Sequence, residues 1–144
     1  VSSNVSPVYA EDVADEFKKN IKLIINGGKS KVGIESTVID LTGKPKILRP
    51  GIIGPEMIKK VLKVKINLLR KNTKIKSPGM LKKHYSPGLP ILINQVKSDN
   101  KSAYIYLGNK FKDRKKFFSL SKNSDLNEAA SNLYRTFRLI KCSF

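Results

Sequence analysis

Gly33-Ile34-Glu35-Ser36-Thr37-Val38-Ile39-Asp40, running on through Leu41-Thr42-Gly43-Lys44-Pro45 to Lys46-Ile47-Leu48-Arg49-Pro50-Gly51, is the stretch whose reading decides the fold. Residues 34–41 are rich in β-branched side chains. Their alternation puts Glu35, Thr37 and Ile39 on one face and Ile34, Ser36, Val38 and Asp40 on the other. Thr42-Gly43-Lys44-Pro45 is turn chemistry. Lys46 to Arg49 therefore reads as a short strand returning along the first, closed by Pro50-Gly51.

Upstream, Ser6-Pro7 predicts a helix start, a hydroxyl cap followed by a proline pre-set for the first turn. Tyr9, Val13, Phe17 and Ile21 recur at helical spacing, and the acids Glu11, Asp12, Asp15 and Glu16 occupy the outer, solvated face. Leu23-Ile24-Ile25 reads as a strand running into the turn Asn26-Gly27-Gly28. Downstream, Gly54-Pro55 opens a second helix with Met57, Ile58, Val61 and Leu62 as its apolar stripe. From Lys63 to about Leu89, lysines and the two Ser-Pro-Gly turns mark an extended connector. Pro90-Ile93, Ala103-Leu107 and Phe117-Leu120 read as buried strands. Asp125 and Glu128 have capping-box spacing at the head of a last helix, with Leu126, Ala129, Ala130, Leu133, Phe137 and Ile140 along one side. The pattern is a partial α/β layer, a basic connector and the first elements of a second α/β unit.

The bulk numbers narrow the function classes. An apolar fraction of 40% is enough for a core, yet no apolar run approaches the ~18 residues of a membrane span. Val1-Ser2-Ser3-Asn4 has neither an initiator methionine nor a basic segment leading into an apolar one, so a cut N-terminus is expected rather than a leader. One cysteine (Cys142) excludes an internal disulfide framework, the presence of only one histidine (His84) argues against a structural zinc site, and a reducing cytoplasm fits. The net charge is +18, and no carboxylate lies between Met57 and Ser98, where lysines from Lys59 through Lys83 to Lys97 accumulate. That stretch could track a polyanion. An excess of Lys over Arg, with abundant Ile and Asn, is also what an AT-rich coding sequence produces.

Gly28-Lys29-Ser30-Lys31-Val32-Gly33 has the glycine spacing of a phosphate-binding P-loop. Ile34 and Glu35 stand where that loop needs Lys and a hydroxyl, so a turn between strands is read instead. His84 is the sole imidazole and sits among cations, so no nucleophile–base pair can be assembled, and no glycosidase-like carboxylate pair is evident. Polar residues beside turns remain: Ser36 in its strand, Arg49 before Pro50-Gly51, and Lys83-His84-Tyr85 between the Ser-Pro-Gly turns. Arg and His can hold phosphates, and a serine hydroxyl a small polar ligand.

Taken in order, Ser6-Pro7 with Ala10-Glu11-Asp12-Val13, Gly33-Ile34-Glu35-Ser36-Thr37-Val38-Ile39-Asp40, Ile47-Leu48-Arg49-Pro50-Gly51, and Ser77-Pro78-Gly79-Met80 ending in His84-Tyr85-Ser86-Pro87 resemble the successive signatures of the two-domain threonylcarbamoyl-AMP synthases. The last helix, from Asp125-Leu126 to Asn132-Leu133-Tyr134, resembles the family's smaller domain. The resemblance implies an α/β chain: the C-terminal part of a YrdC-like twisted mixed sheet (1–66), a basic Pro/Gly-containing linker (67–89), and the start of a small Rossmann-like domain (90–144). It implies condensation of L-threonine, bicarbonate and ATP, the ATP with magnesium, to threonylcarbamoyl-AMP and pyrophosphate. A partner transferase then carries the group to a tRNA adenosine. By correspondence of motifs, Ser36 is an L-threonine contact and Arg49, Lys83, His84 and Tyr85 are ATP contacts. Ser2 and Ser6 line the nucleotide loop. No catalytic nucleophile and no protein metal site are implied. The family pattern extends beyond both ends, so the expectation is a middle piece, marginally stable and inactive alone. The competing expectation is a small basic RNA-binding module gripping phosphate through Lys59 to Lys83.

Overall fold

The computed structural model describes residues 4–64, 66–68, 85–99, 101–111 and 114–143. Among the described residues the α-helices and strands run α1 (Ala10–Phe17), β1 (Val38–Asp40), β2 (Lys46–Arg49), α2 (Pro55–Leu62), β3 (Asn67–Leu68), β4 (Tyr104–Tyr106), β5 (Phe117–Ser119) and α3 (Leu126–Ser143). The fold is α/β.

The decisive stretch forms the predicted hairpin, but its first strand is confined to Val38–Asp40, and Glu35, Ser36 and Thr37 precede it outside the ladder. β1 and β2 are antiparallel, with Ile39 opposite Ile47, Asp40 opposite Lys46, and an irregularity between Val38 and Ile39. Asp40 closes the turn, its Oδ1 accepting from the Thr42 amide at 3.0 Å and from the Thr42 hydroxyl at 2.6 Å. That is an aspartate turn in place of a ladder. β3 adds to the other side of β2 in parallel, pairing Asn67 with Lys46 and Leu68 with Ile47. The sheet β1-β2-β3 is therefore mixed. Two-residue β3 falls inside the stretch expected to be linker. Ile47, Ile58 and Ile66 are buried together with Ile39 packed on them, so α2 covers this sheet through one residue. Met57, Val61 and Leu62 of the expected stripe are exposed.

The start of α1 differs from expectation in an informative way. The helix begins at Ala10, and Ser6 does not cap it. Asp12, buried instead of solvated, accepts from the amides of Val8 at 2.7 Å and Tyr9 at 3.0 Å. A carboxylate beside the helix N-terminus satisfies donors that the hydroxyl leaves alone. Past a 3-10 turn at Lys18–Asn20, Leu23-Ile24-Ile25 is not a strand, and Leu23 and Ile25 are exposed. Gly28 to Gly33 is consequently not a turn between strands: the Ser30 amide bonds to the Val8 carbonyl at 2.9 Å. Pro90-Ile93 likewise forms no strand, and Ile91, Leu92 and Ile93 are exposed. Neither segment has a partner strand among the described residues.

β4 and β5 are parallel, Tyr104 opposite Phe117 and Tyr106 opposite Ser119, and half-buried where burial was expected. The head of α3 is capped as its spacing predicts: the Glu128 amide donates to Asp125 Oδ1 at 2.7 Å. The Glu128 carboxylate departs from the capping box by accepting from the buried Ser121 hydroxyl. Leu126, expected on the inner side, is exposed.

α3 lies against the N-terminal segment. Tyr134 is buried with Val5 and Val8. Arg138 Nη2 donates to the Val5 carbonyl and to Glu16 Oε2, both at 2.9 Å. Gly33 makes the approach possible. Its φ is +75°, and a Cβ there would sit 2.7 Å from the Ser131 carbonyl oxygen. Only glycine tolerates both the left-handed backbone and that contact. Among the described residues no helix is long and apolar enough to cross a membrane.

Candidate functional site

Arg49 ends β2, and three segments meet on its guanidinium. The first arrives through Gly51, where a Cβ would lie 2.4 Å from both the Glu35 carbonyl oxygen and the Thr37 amide nitrogen. The missing side chain lets the chain after β2 press backbone to backbone on the chain entering β1. That approach sets Ser36 beside Arg49. Arg49 Nε donates to the Ser36 carbonyl at 3.0 Å and Nη2 to the Ser36 hydroxyl oxygen at 2.9 Å. Such a two-point grip fixes the plane of the guanidinium.

The second segment is the end of the connector: the Tyr85 phenol oxygen accepts from Arg49 Nη1 at 2.9 Å. The third is the N-terminal loop, reached through Glu35. Ser6 Oγ donates to Glu35 Oε1, and Glu35 Oε2 stands 3.9 Å from Arg49 Nη1. The Arg49 side chain is 14% exposed, so these contacts act in a medium less polar than water while an edge stays accessible.

A fourth element closes the back of the site. The Tyr134 ring of α3 stacks on Tyr85, centroids 6.2 Å apart and planes at 22°. Burial pushes the Tyr134 phenol up to about 12, with the negative charge of Glu35 and the neighbouring Tyr85 adding to the shift and Arg49 opposing it.

Ser36, Arg49 and Tyr85 thus lie within hydrogen-bond contact, and Ser6 joins them through Glu35. Ser2, Lys83 and His84 lie outside the described residues, as does most of the basic run of the RNA-binding reading. Glu35 and Tyr134 were not expected in the site. For Glu35 the available signal was an acid within a hydroxyl-rich strand whose return carries Arg49. For Tyr134 it was the spacing Ser131, Tyr134, Arg138, a second helical face beside the apolar one. Among the described residues no group of three His, Cys, Asp or Glu side chains could hold a metal ion.

Chemically, the cluster suits binding. Ser36 Oγ accepts from Arg49, which leaves its single proton available for donation to a ligand. Arg49 offers a fixed cation to an anionic ligand. Positioning and electrostatics are what the arginine, serine and phenol groups of the cluster supply.

The family model "Threonylcarbamoyl-AMP synthase, C-terminal domain" matches residues 53–142. The chain belongs to the threonylcarbamoyl-AMP synthase family. A second family model, described as "Telomere recombination", matches residues 1–51, which include Ser36 and Arg49. The threonylcarbamoyl-AMP synthase of Pyrococcus abyssi is 39% identical over 98 residues, covering 65% of this chain and 29% of that protein. The Bacillus subtilis threonylcarbamoyl-AMP synthase is 39% identical over 97 residues, covering 65% of this chain and 28% of that protein. A crystal structure of P. abyssi Sua5 complexed with L-threonine superposes with a TM-score of 0.72 at 27% identity, over 97% of this chain and 47% of the other. The chain therefore spans less than a third of the length of these curated relatives, and its fold is found in a family structure that holds threonine.

Proposed function

We propose that this chain supplies one wall of the substrate site of a threonylcarbamoyl-AMP synthase. The whole protein converts L-threonine, bicarbonate and ATP to threonylcarbamoyl-AMP and pyrophosphate, in the cytoplasm, for transfer by a partner enzyme to tRNA. The observation that carries the reading is the grip of Arg49 on both the Ser36 backbone and hydroxyl, capped by Tyr85, in a chain of this family.

Within it, Arg49 contacts the nucleotide and the Ser36 hydroxyl donates to the threonine carboxylate. The threonine amine takes up bicarbonate with loss of water. The resulting carbamate oxygen attacks the α-phosphorus as the bond to pyrophosphate breaks. Arg49 pairs with the phosphate charge that ATP carries before and throughout the transfer, and so holds the nucleotide equally in both. Magnesium enters with ATP as the counter-ion of its phosphates. Tyr85 packs over the nucleotide, and Lys83, His84, Ser2 and Ser6 complete its surroundings. The division into 1–66, 67–89 and 90–144 belongs to the same proposal, although β3 carries the sheet of the first unit on to Leu68.

The test is threonine- and bicarbonate-dependent pyrophosphate release from ATP by the protein carrying this chain. Arg49→Ala is expected to lower kcat/KM for ATP by about a hundredfold or more, as loss of a preorganised charge does. Turnover indifferent to that change, or to threonine, overturns the reading.

A further inference from the structure

Tyr85 is held in a conformation its own chain does not favour. Its φ is +52°, a left-handed backbone that a bulky residue keeps only where surrounding contacts over-determine it. Two contacts grip the side chain at its two ends. The phenol oxygen accepts from Arg49 Nη1 at 2.9 Å, and the ring lies against Tyr134 at 6.2 Å. A bridge between Asn4 and Ser86 holds the following residue.

Tyr134 cannot follow if Tyr85 moves. It is 7% exposed among Val5 and Val8. One turn onward, Arg138 ties the helix to the Val5 carbonyl and Glu16, and one turn back the Ser131 backbone rests on Gly33. α3 therefore presents a fixed wall. Arg49 Nε and Nη2 are committed to Ser36, and the bond to Tyr85 adds a third hydrogen bond, on Nη1, where the Glu35 carboxylate stands 3.9 Å away.

We infer that Tyr134 is a positioning residue of the Arg49 site, acting through Tyr85. Its ring fixes the phenol that orients the guanidinium, and so sets affinity for the nucleotide, not the rate of the chemical step. The inference rests on the reading of Arg49 as a nucleotide contact. The ring matters and the hydroxyl does not, because the contact with Tyr85 is an offset, near-parallel ring contact whose attraction phenylalanine retains.

The experiment compares Tyr134→Phe, Tyr134→Leu, Tyr134→Ala and Arg49→Ala in the protein carrying this chain, reading KM for ATP and kcat separately. Tyr134→Ala and Tyr134→Leu are expected to raise KM for ATP by about tenfold with kcat held within about twofold, and Tyr134→Phe to restore KM to within about twofold. A merely structural role would lower kcat through loss of active protein and leave KM in place. If Tyr134→Ala does not fold, the Leu–Phe comparison decides: a gap in KM supports the inference, and equal KM overturns it. Should Arg49→Ala leave ATP use intact, the functional reading fails first. If Arg49→Ala is defective while both ringless variants keep the parental KM, only the role of Tyr134 is refuted.

Discussion

Replacing Gly51 by alanine should dismantle the site from beneath without touching any side chain that forms it. The added Cβ would fall 2.4 Å from the Glu35 oxygen and the Thr37 nitrogen and 2.5 Å from the Ser36 carbonyl carbon. All three are backbone atoms, so no rotamer change relieves the overlap. Ordinary contact begins near 3.4 Å, and 3.4 − 2.4 leaves the two chains to part by about 1.0 Å. A separation of that size stretches the Arg49 bonds to Ser36, now 2.9 and 3.0 Å, past the range in which a hydrogen bond survives. Overpacking costs about 1–3 kcal/mol, and weakening a charged hydrogen bond adds about 1 kcal/mol where water replaces it in part. A total near 3 kcal/mol corresponds to a Tm lowered by about 10 °C in a domain of this size. Gly43 is the internal control, since a Cβ there meets nothing within 4 Å. Gly43→Ala should change stability by no more than about 0.5 kcal/mol. The assay is thermal unfolding followed by circular dichroism, paired with the affinity for ATP. Equal Tm values for the two variants, with ATP affinity unchanged, would refute the claim that backbone contact at Gly51 builds the site.

Two further outcomes follow from the same geometry. Asp12→Ala removes the acceptor for the Val8 and Tyr9 amides and a carboxylate 3.8 Å from Arg138 Nε. Urea unfolding should show a loss of about 2 kcal/mol, from a helix cap together with a buried partner, and an unchanged midpoint would contradict it. Tyr134 should ionise near 12, against about 10 in the unfolded chain. Because the folded state keeps its proton longer, stability falls as pH rises from about 10 to about 12. Ultraviolet titration should show a late tyrosine phase that Tyr134→Phe abolishes, and a phase that persists in that variant assigns it elsewhere.

Local chemistry made much of the fold legible. The hairpin was readable because Thr42-Gly43-Lys44-Pro45 permits little but a turn, and Asp40 lends it a side-chain acceptor. Helix α3 announced its own start through Asp125. What failed was composition without a partner. Leu23-Ile24-Ile25 and Pro90-Ile93 have strand-forming residues, but a strand exists only where another backbone accepts its hydrogen bonds. The reverse error is β3, where Asn67-Leu68 shows no pattern and becomes a strand because β2 lies alongside. Ser6 was misread for a related reason. A serine before a proline satisfies the rule for a cap, and the rule has no knowledge of Glu35, far along the chain, which takes its hydroxyl.

The site divides along the same line. Ser36 lies two residues before β1 and Arg49 ends β2, so their proximity follows from the hairpin once Gly51 lets the chains close. Tyr134 follows from nothing local. Its helix has two buried faces, and hydropathy marks only the one bearing Ala129, Leu133 and Ile140. The other carries Ser131, Tyr134 and Arg138, residues whose burial depends on partners supplied by the N-terminal segment: the Gly33 backbone, Val5 and Val8, and the acids of α1. A face of polar and amphipathic side chains looks solvated in sequence and becomes interior only where each polar group meets its complement. That dependence ties the order of Tyr85, and through it the aim of Arg49, to the docking of α3 on the beginning of the chain. Loosening the Arg138 clamp should therefore reach the guanidinium through the stacked tyrosines before it reaches the hairpin that carries it.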